Sequence, residues 1–414
     1  MKMINISGGV TKAKGFMASS AQAGIKYEGR TDMAMLFSTA PCTVAGTFTR
    51  NIVKAAPVIW DRNIVKAGGK VQAVVVNSGI ANAGTGKEGM EICEETAAFA
   101  ASLLGLEKEN VLIGSTGVIG SQIPMDKIKA GTEKLVKALK ADEESGTAAS
   151  KAIMTTDTVN KECAVQIELP GKDGAPVLVT IGGMSKGSGM IHPNMCTMLG
   201  YITTDCCIEA PLLQKMVSAI VEDTFNMISV DGDTSTNDTL LVMANGLSEN
   251  TPFEEGSEAA ALFYEALNYI CRTLAVKMAS DGEGATKLIE STVIHMDTKE
   301  NAKILAKSVI TSSLVKAMVF GKDANCGRLL CALGYAGPEF DPDRLEISMT
   351  GENGTILFAR EGKVLSFDEE KALAILSEDK VVFLSDMHMG EESATAWGCD
   401  LTYDYVKING DYRT

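Results

Sequence analysis

The feature that most restricts how this chain can fold is a series of short, β-branched apolar runs, each closed by a turn. Val71–Val76 (VQAVVV) ends in Asn77-Ser78-Gly79, and Val111–Ile113 leads into Gly114-Ser115-Thr116-Gly117. Runs of this length and composition read as buried strands that stop at a turn. Val177–Ile181, Leu240–Met243, Leu345–Met349 and Val381–Leu384 repeat the pattern. Glycine is frequent, at 40 residues, and proline scarce, at 10, which suits tight strand turns. Helical periods lie between the strands. Pro211 opens one, where its missing N–H costs nothing. Leu212, Leu213, Met216, Val217, Ile220 and Val221 then recur on one face. Glu258–Met278 reads as a second helix and Val309–Phe320 as a third, whereas Ala141–Ser150 (ADEESGTAAS) reads as an exposed loop. There is no regular βαβ beat and no internal repeat. The expectation is an α+β protein with helices covering its sheets. A length of 414 residues exceeds one ordinary core and predicts two lobes.

Composition narrows the function. Hydrophobic residues make up 45% and charged residues 22%, as in globular proteins. A net charge of −15 argues against nucleic acid or an anionic membrane as partner, since both need a basic surface. The opening MKMINISGGVTKAKGF has no apolar signal core, and no apolar run approaches the roughly 18 residues a membrane span needs. A cytoplasmic location is therefore expected. The ten cysteines form no CxxC pair and read as reduced thiols. Only three histidines are present, His192, His295 and His388. No metal is expected, and a Ser-His-Asp triad has few candidates.

The unusual stretch is Lys186 to Asp205, KGSGMIHPNMCTMLGYITTD. Lys186-Gly187-Ser188-Gly189 is small and flexible. His192-Pro193-Asn194 forces an extended or turned backbone, because a residue before proline avoids the helical region. Cys196-Thr197 follows, and Met198–Thr204 runs on as an apolar strand. A small residue, then threonine, then a strand is what an N-terminal nucleophile requires. The scissile bond must sit exposed in a turn, and the new terminus must be held by a rigid element. A threonine hydroxyl alone is a poor nucleophile at neutral pH. Once Thr197 is a chain terminus, its α-amine, with a reference pKa of roughly 7.7–8.0, can act as its general base. No histidine is needed. Glycine-rich loops of this kind are mostly ordinary turns. This one could equally cradle a phosphate, but it matches neither GxxxxGK[ST] nor GxGxxG with a distant acid.

The stretch closely resembles the ArgJ family, the ornithine acetyltransferases of arginine biosynthesis, whose usual motif is KGSGMIxPNMATMLxxxxTD. Similar segments run the length of the chain. They include GVTKAKGFMAS, AGIKYEGRTDMAMLFS, VAGTFTRN, VNSGIANAGTG, GSTGVIG, MTTDT, SVDGDTSTND, SDGEGATK, KDANCGRLL and the closing KINGDYRT. The resemblance implies an αββα sandwich of the self-processing N-terminal-nucleophile type, with two lobes. It implies cleavage between Cys196 and Thr197, giving an α chain of residues 1–196 and a β chain of 197–414. Thr197 would be the nucleophile, acetylated by N2-acetylornithine, with glutamate as acceptor. Thr116 and Gly117 would form the oxyanion hole. Thr155 or Thr156, Lys186, Thr197, Glu283, Asn409 and Thr414 would line the substrate pocket. No cofactor is implied, although bifunctional members also use acetyl-CoA as donor. Relatives assemble as α2β2 heterotetramers. The chain departs from the pattern at Cys196 (usually alanine), at Cys326 (commonly tryptophan), and at Ile80 and Gly84. Two rivals remain: a related N-terminal-nucleophile amidase or aminopeptidase, which needs no acceptor, and a non-enzymatic binder that never cleaves.

Overall fold

Apolar side chains on both faces explain the central strands. In Val71–Asn77, Val71, Val74 and Val76 enter one core cluster, while Ala73 and Val75 enter another on the opposite face. A strand buried on both sides has no polar alternation to show. The computed structural model describes residues 3–192 and 198–411. Its contacts separate two units. Unit 1 comprises Met1–Gly187, Pro193–Asn226 and Thr234–Ala275; unit 2 comprises Ser188–His192, Met227–Asp233 and Val276–Thr414.

Unit 1 contains β1 (Ile4–Ile6), β2 (Phe16–Ala21), β3 (Met33–Phe48), β4 (Val71–Asn77), β5 (Val111–Ser115), β6 (Lys161–Pro170), β7 (Pro176–Lys186) and β8 (Leu199–Thr204). After β9 (Ile228–Ser229), which joins the second sheet, β10 (Thr239–Ala244) returns to the first. The order is β1-β6-β7-β8-β10-β3-β4-β5, with β2 also on β3. The long strand β3 is the corner. Met33–Phe37 pairs with β4, a register shift follows before Cys42, and Thr43–Phe48 pairs with β10. The sheet thus folds over on itself. Ala34, Leu36, Val74, Val76 and Leu112 of one half share a buried cluster with Met184, Leu199, Tyr201, Leu241 and Met243 of the other. Each fully buried valine, leucine or methionine among these contributes roughly 1.5–3 kcal/mol.

Helices cover both outer faces. α1 (Ala56–Lys66) packs on β3 and β5, α2 (Gly86–Leu104) on β5, and α3 (Met125–Ala138) on α2 and β2. α4 (Glu143–Ala152) instead lies on β2 with Ala149 and Ala152 in the cluster between the two halves, and α5 (Ala210–Asp223) lies on β3. α6 (Glu258–Ser280) reaches the far sheet, where Tyr269 accepts a hydrogen bond from Asn5 at 2.8 Å and the Ile270 carbonyl from Cys163 Sγ at 3.8 Å. The layers read helix, sheet, sheet, helix, as expected.

Unit 2 is a second sheet, ordered β14-β13-β12-β15-β11-β16-β9. Its strands are β11 (Leu288–Met296), β12 (Glu346–Gly351), β13 (Gly354–Arg360), β14 (Lys363–Val364), β15 (Lys380–Asp386) and β16 (Glu392–Cys399). α7 (Lys299–Thr311) lies on β11 and β16, α8 (Ser313–Gly321) and α7 both meet α9 (Cys326–Gly334), and α10 (Glu369–Leu376) lies on β12 and β13. α11 (Tyr403–Gly410) closes the described chain.

Two sequence expectations are corrected. Ala141–Ser150 is no loop: Glu143–Ala152 is helical because Asp142 accepts from the Ser145 amide at 2.8 Å and Gly146, Ala149 and Ser150 are buried. Val309–Phe320 is not one helix. Ser312 takes an extended conformation (φ −66°, ψ 112°), ends α7, and caps α8 by accepting from the Val315 amide at 3.3 Å. No single helix among the described residues is long and apolar enough to cross a membrane.

Candidate active site

Strand β5 ends at Ser115 and its turn carries Thr116-Gly117, which hydrogen bonds lock beside the turn after β4. The Thr116 amide donates to the Asn77 carbonyl at 3.0 Å, and the Val118 amide to the Gly79 carbonyl at 3.1 Å. Ser115 Oγ donates to Asn77 Oδ1 at 2.7 Å. Asn237 fastens both turns: its Nδ2 donates to the Ala81 carbonyl at 2.5 Å and to the Ser115 carbonyl at 2.7 Å. Gly117 has φ +129°, and a Cβ there would stand 2.7 Å from the Ile80 nitrogen and closer still to the Gly79 carbonyl. Only glycine fits this position.

Lys186, the last residue of β7, brings its ammonium to this turn. It is 7% exposed, and Nζ donates to Thr116 Oγ1 at 3.3 Å. The Thr116 hydroxyl accepts from the lysine, so its own proton points elsewhere. Its amide is committed to Asn77. The donors this turn can aim at a developing oxyanion are therefore the Thr116 hydroxyl and the Gly117 amide.

Behind Lys186 lies Asp157. Its Oδ1 accepts from Lys161 Nζ and from the Gly187 amide, both at 2.7 Å, and its Oδ2 from the Thr155 amide at 3.1 Å. The Asp157 and Lys161 side chains are fully buried. Burial pushes the Asp157 carboxyl up, but the charges of Lys186 and Lys161 and these hydrogen bonds outweigh it and hold it at about 2. Lys186, Lys161 and Asp157 thus form one buried charged cluster beside Thr116. Thr155 and Thr156 are half-buried next to this cluster.

In unit 2, Ser188 Oγ donates to the Asp281 carbonyl at 2.7 Å, and the Glu283 amide to the Ser188 carbonyl at 3.0 Å. Glu283 is 5% exposed and accepts from Asn409 Nδ2 at 2.7 Å. Any Cβ on Gly189 would overlap the Glu283 carboxylate. Asn409 stands on α11, whose cap residue Thr402 donates to the Gly284 carbonyl at 2.7 Å. Asp231 accepts from the Met190 and Ile191 amides at 2.6 and 2.8 Å, fixing the segment before Pro193. His192 Nδ1 meets Ser229 Oγ at 3.1 Å, and burial first, then the Lys307 charge, lowers its pKa to about 4. It is neutral at pH 7.

Unit 1 thus joins Thr116, Gly117, Lys186 and the Thr155-Thr156 pair, and unit 2 joins Glu283 with Asn409. Cys196, Thr197 and Thr414, and the turn expected at Pro193-Asn194, lie outside the described residues. Sequence reasoning missed Asp157, Lys161, Asn77 and Asn237 as supports. Asp157 sits in the MTTDT segment and Asn237 in SVDGDTSTND, so the segments were visible but the roles were not. A separate cluster of His295, Asp386 and His388 has ligand atoms within 4.8 Å of one another. The expectation of no metal rested on there being only three histidines, and the fold gathers two of them.

Unit 1 is thus a folded-over sheet between helices, with the Thr116-Gly117 turn and a buried lysine at its rim. The chain belongs to the ArgJ family, whose model matches residues 17–414. It is 50% identical over 411 residues to the arginine biosynthesis bifunctional protein ArgJ of Symbiobacterium thermophilum, covering 99% of each chain. It is 48% identical over 409 residues to the protein of that name from Caldanaerobacter subterraneus subsp. tengcongensis, again with 99% of each covered. A crystal structure of the Bacillus halodurans protein of that name is 45% identical, with a TM-score of 0.49 over 51% of this chain and 97% of that one.

Proposed function

We propose that this chain is a self-cleaving acetyltransferase of arginine biosynthesis. It moves the acetyl group of N2-acetylornithine to glutamate, and it also accepts acetyl-CoA as donor. Family membership over nearly the whole chain supports the activity, and the bifunctional name of its relatives supports the second donor. The observation that carries the reading is the Lys186 ammonium 3.3 Å from the Thr116 hydroxyl, beside the Gly117 turn.

The Thr197 hydroxyl first attacks the Cys196 carbonyl. Water hydrolyses the resulting ester, leaving an α chain of 1–196 and a β chain of 197–414. The freed amine then takes the hydroxyl proton as Thr197 attacks the acetyl carbonyl. The Thr116 hydroxyl and the Gly117 amide stabilise the oxyanion, a contribution that is typically 10²–10³-fold per donor. Ornithine leaves with the proton, and the glutamate amine takes the acetyl group. Lys186 pairs with the α-carboxylate that both amino acids carry. Glu283, oriented by Asn409, meets the ornithine side-chain ammonium. Thr155 or Thr156 and Thr414 complete the pocket. The processed enzyme acts in the cytoplasm as an α2β2 heterotetramer.

Initial rates test this. Varying N2-acetylornithine at several glutamate concentrations gives parallel double-reciprocal lines, with N-acetylglutamate as product. Intersecting lines contradict the acetyl-threonine intermediate. Acetate released at the same rate without glutamate identifies an amidase instead.

A further inference from the structure

A pocket of about 660 Å³ lies in unit 1 between α1, the end of β3 and α5. Arg50, Lys54, Arg62 and Lys66 line it, together with Phe48 and Thr49, and its described lining contains no carboxylate. In a chain of net charge −15, four cations around one opening form a local positive field. Arg50 reaches Glu222 at 3.6 Å, and Lys54 Nζ donates to the Asn51 carbonyl at 2.5 Å. Arg62 lines the pocket although its Nε is itself buried and makes no hydrogen bond within the described protein. Between Arg50 and Lys54, Ile52 is 94% exposed and Val53 56% exposed.

The pocket adjoins the oxyanion turn. Phe48 pairs with Thr239, and Thr239 with Leu199, two residues past Thr197 in the chain. Two strand spacings put Phe48 about 10 Å from Leu199. The pocket rim is also tied to the turn. Thr49 Oγ1 donates to the Ser235 carbonyl at 2.8 Å and the Ala55 amide to the Thr236 carbonyl at 2.9 Å, next to the Asn237 that holds Ser115.

We propose that this pocket binds the phosphates of acetyl-CoA, so that the pantetheine arm runs along the sheet end toward the start of β8 at Leu199. The proposal rests on acetyl-CoA being a donor. Guanidinium forks pair two-pronged with phosphate oxygens, and the exposed Ile52 and Val53 offer an apolar bed for the purine. The volume falls within the usual range for cofactor sites, about 300–1,000 Å³. In the transfer, the acetyl C–S bond breaks as the bond to Thr197 oxygen forms. The hydroxyl proton passes through the α-amine to the departing sulfur, giving the free thiol. N2-acetylornithine carries no phosphate and does not need this pocket.

The test is a split of the two donors in the processed enzyme. Arg50→Gln with Lys66→Gln, both at exposed positions, and separately Arg62→Gln, raise the KM for acetyl-CoA roughly tenfold or more, as the loss of one or two charge-assisted hydrogen bonds entails. The KM and kcat for N2-acetylornithine stay unchanged, which also shows that the variants fold. In the wild-type enzyme, acetyl-dephospho-CoA has a higher KM than acetyl-CoA, and desulfo-CoA binds in calorimetry but loses affinity in the variants. Wild-type-like acetyl-CoA kinetics in both variants overturn the pocket assignment alone. A wild-type enzyme that turns over N2-acetylornithine but neither uses acetyl-CoA nor binds desulfo-CoA overturns the second donor and the pocket together.

Discussion

Asp157 is the residue whose chemistry reaches furthest from its own position. Its carboxylate orders the Thr155 amide, the Gly187 amide and Lys161, and it lies in the field of Lys186. A carboxyl held at about 2, below its ordinary 3.8, contributes stability that is fully present above about pH 4 and is lost as pH falls through 2. The contribution is on the order of 2 kcal/mol. Asp157→Asn removes the carboxylate that Lys161 bonds and Lys186 faces, and costs about 3–5 kcal/mol. Urea unfolding at pH 7 measures that cost, and repeating it at pH 5, 4, 3 and 2 measures the acid limb. The wild-type loses stability across that limb, and the variant loses about 2 kcal/mol less. A variant as stable as wild type at pH 7 removes Asp157 from this role.

At the scale of elements, the turn after β5 is decisive. Gly117→Ala puts a methyl group against the Gly79 carbonyl at a backbone angle of φ +129°, so the turn must rebuild. The expected outcome is a fall in kcat of roughly 10²-fold or more, with circular dichroism and elution volume unchanged. A kcat within a few-fold of wild type means that this turn does not hold the oxyanion. The turn was legible in sequence, because a β-branched run closed by Gly-Ser-Thr-Gly has few other readings. The seven-residue β4 and the helix opened by Pro211 were legible for similar reasons. α4 was not, because its first turn is acidic and polar and it rests on a buried Gly-Ala-Ser face that weighs little in a hydrophobicity pattern. The α7–α8 break was hidden in an apolar run and is marked only by a serine cap at Ser312.

The whole molecule explains why a single sequence segment could point to function while its surroundings could not. KGSGMIH straddles the two units: Lys186 and Gly187 count with unit 1, and Ser188 through His192 with unit 2. Asp157, Asn237 and Asp231 reach this segment or the Thr116-Gly117 turn from distant parts of the chain, and only the folded topology brings them there. The expected cut also divides sequence, not architecture. β7 precedes it and β10 follows it, yet β8 pairs with both. The two fragments should therefore stay together after cleavage, sharing one continuous sheet. The central claim is that a backbone break before Thr197 makes its hydroxyl reactive. Intact-mass measurement of the purified protein, before and after incubation with N2-acetylornithine, tests it most directly. Two polypeptides are expected, 1–196 and 197–414, with one acetyl group gained on the second, and a single uncut chain for Thr197→Ala. One intact polypeptide that turns over N2-acetylornithine at full rate would contradict it.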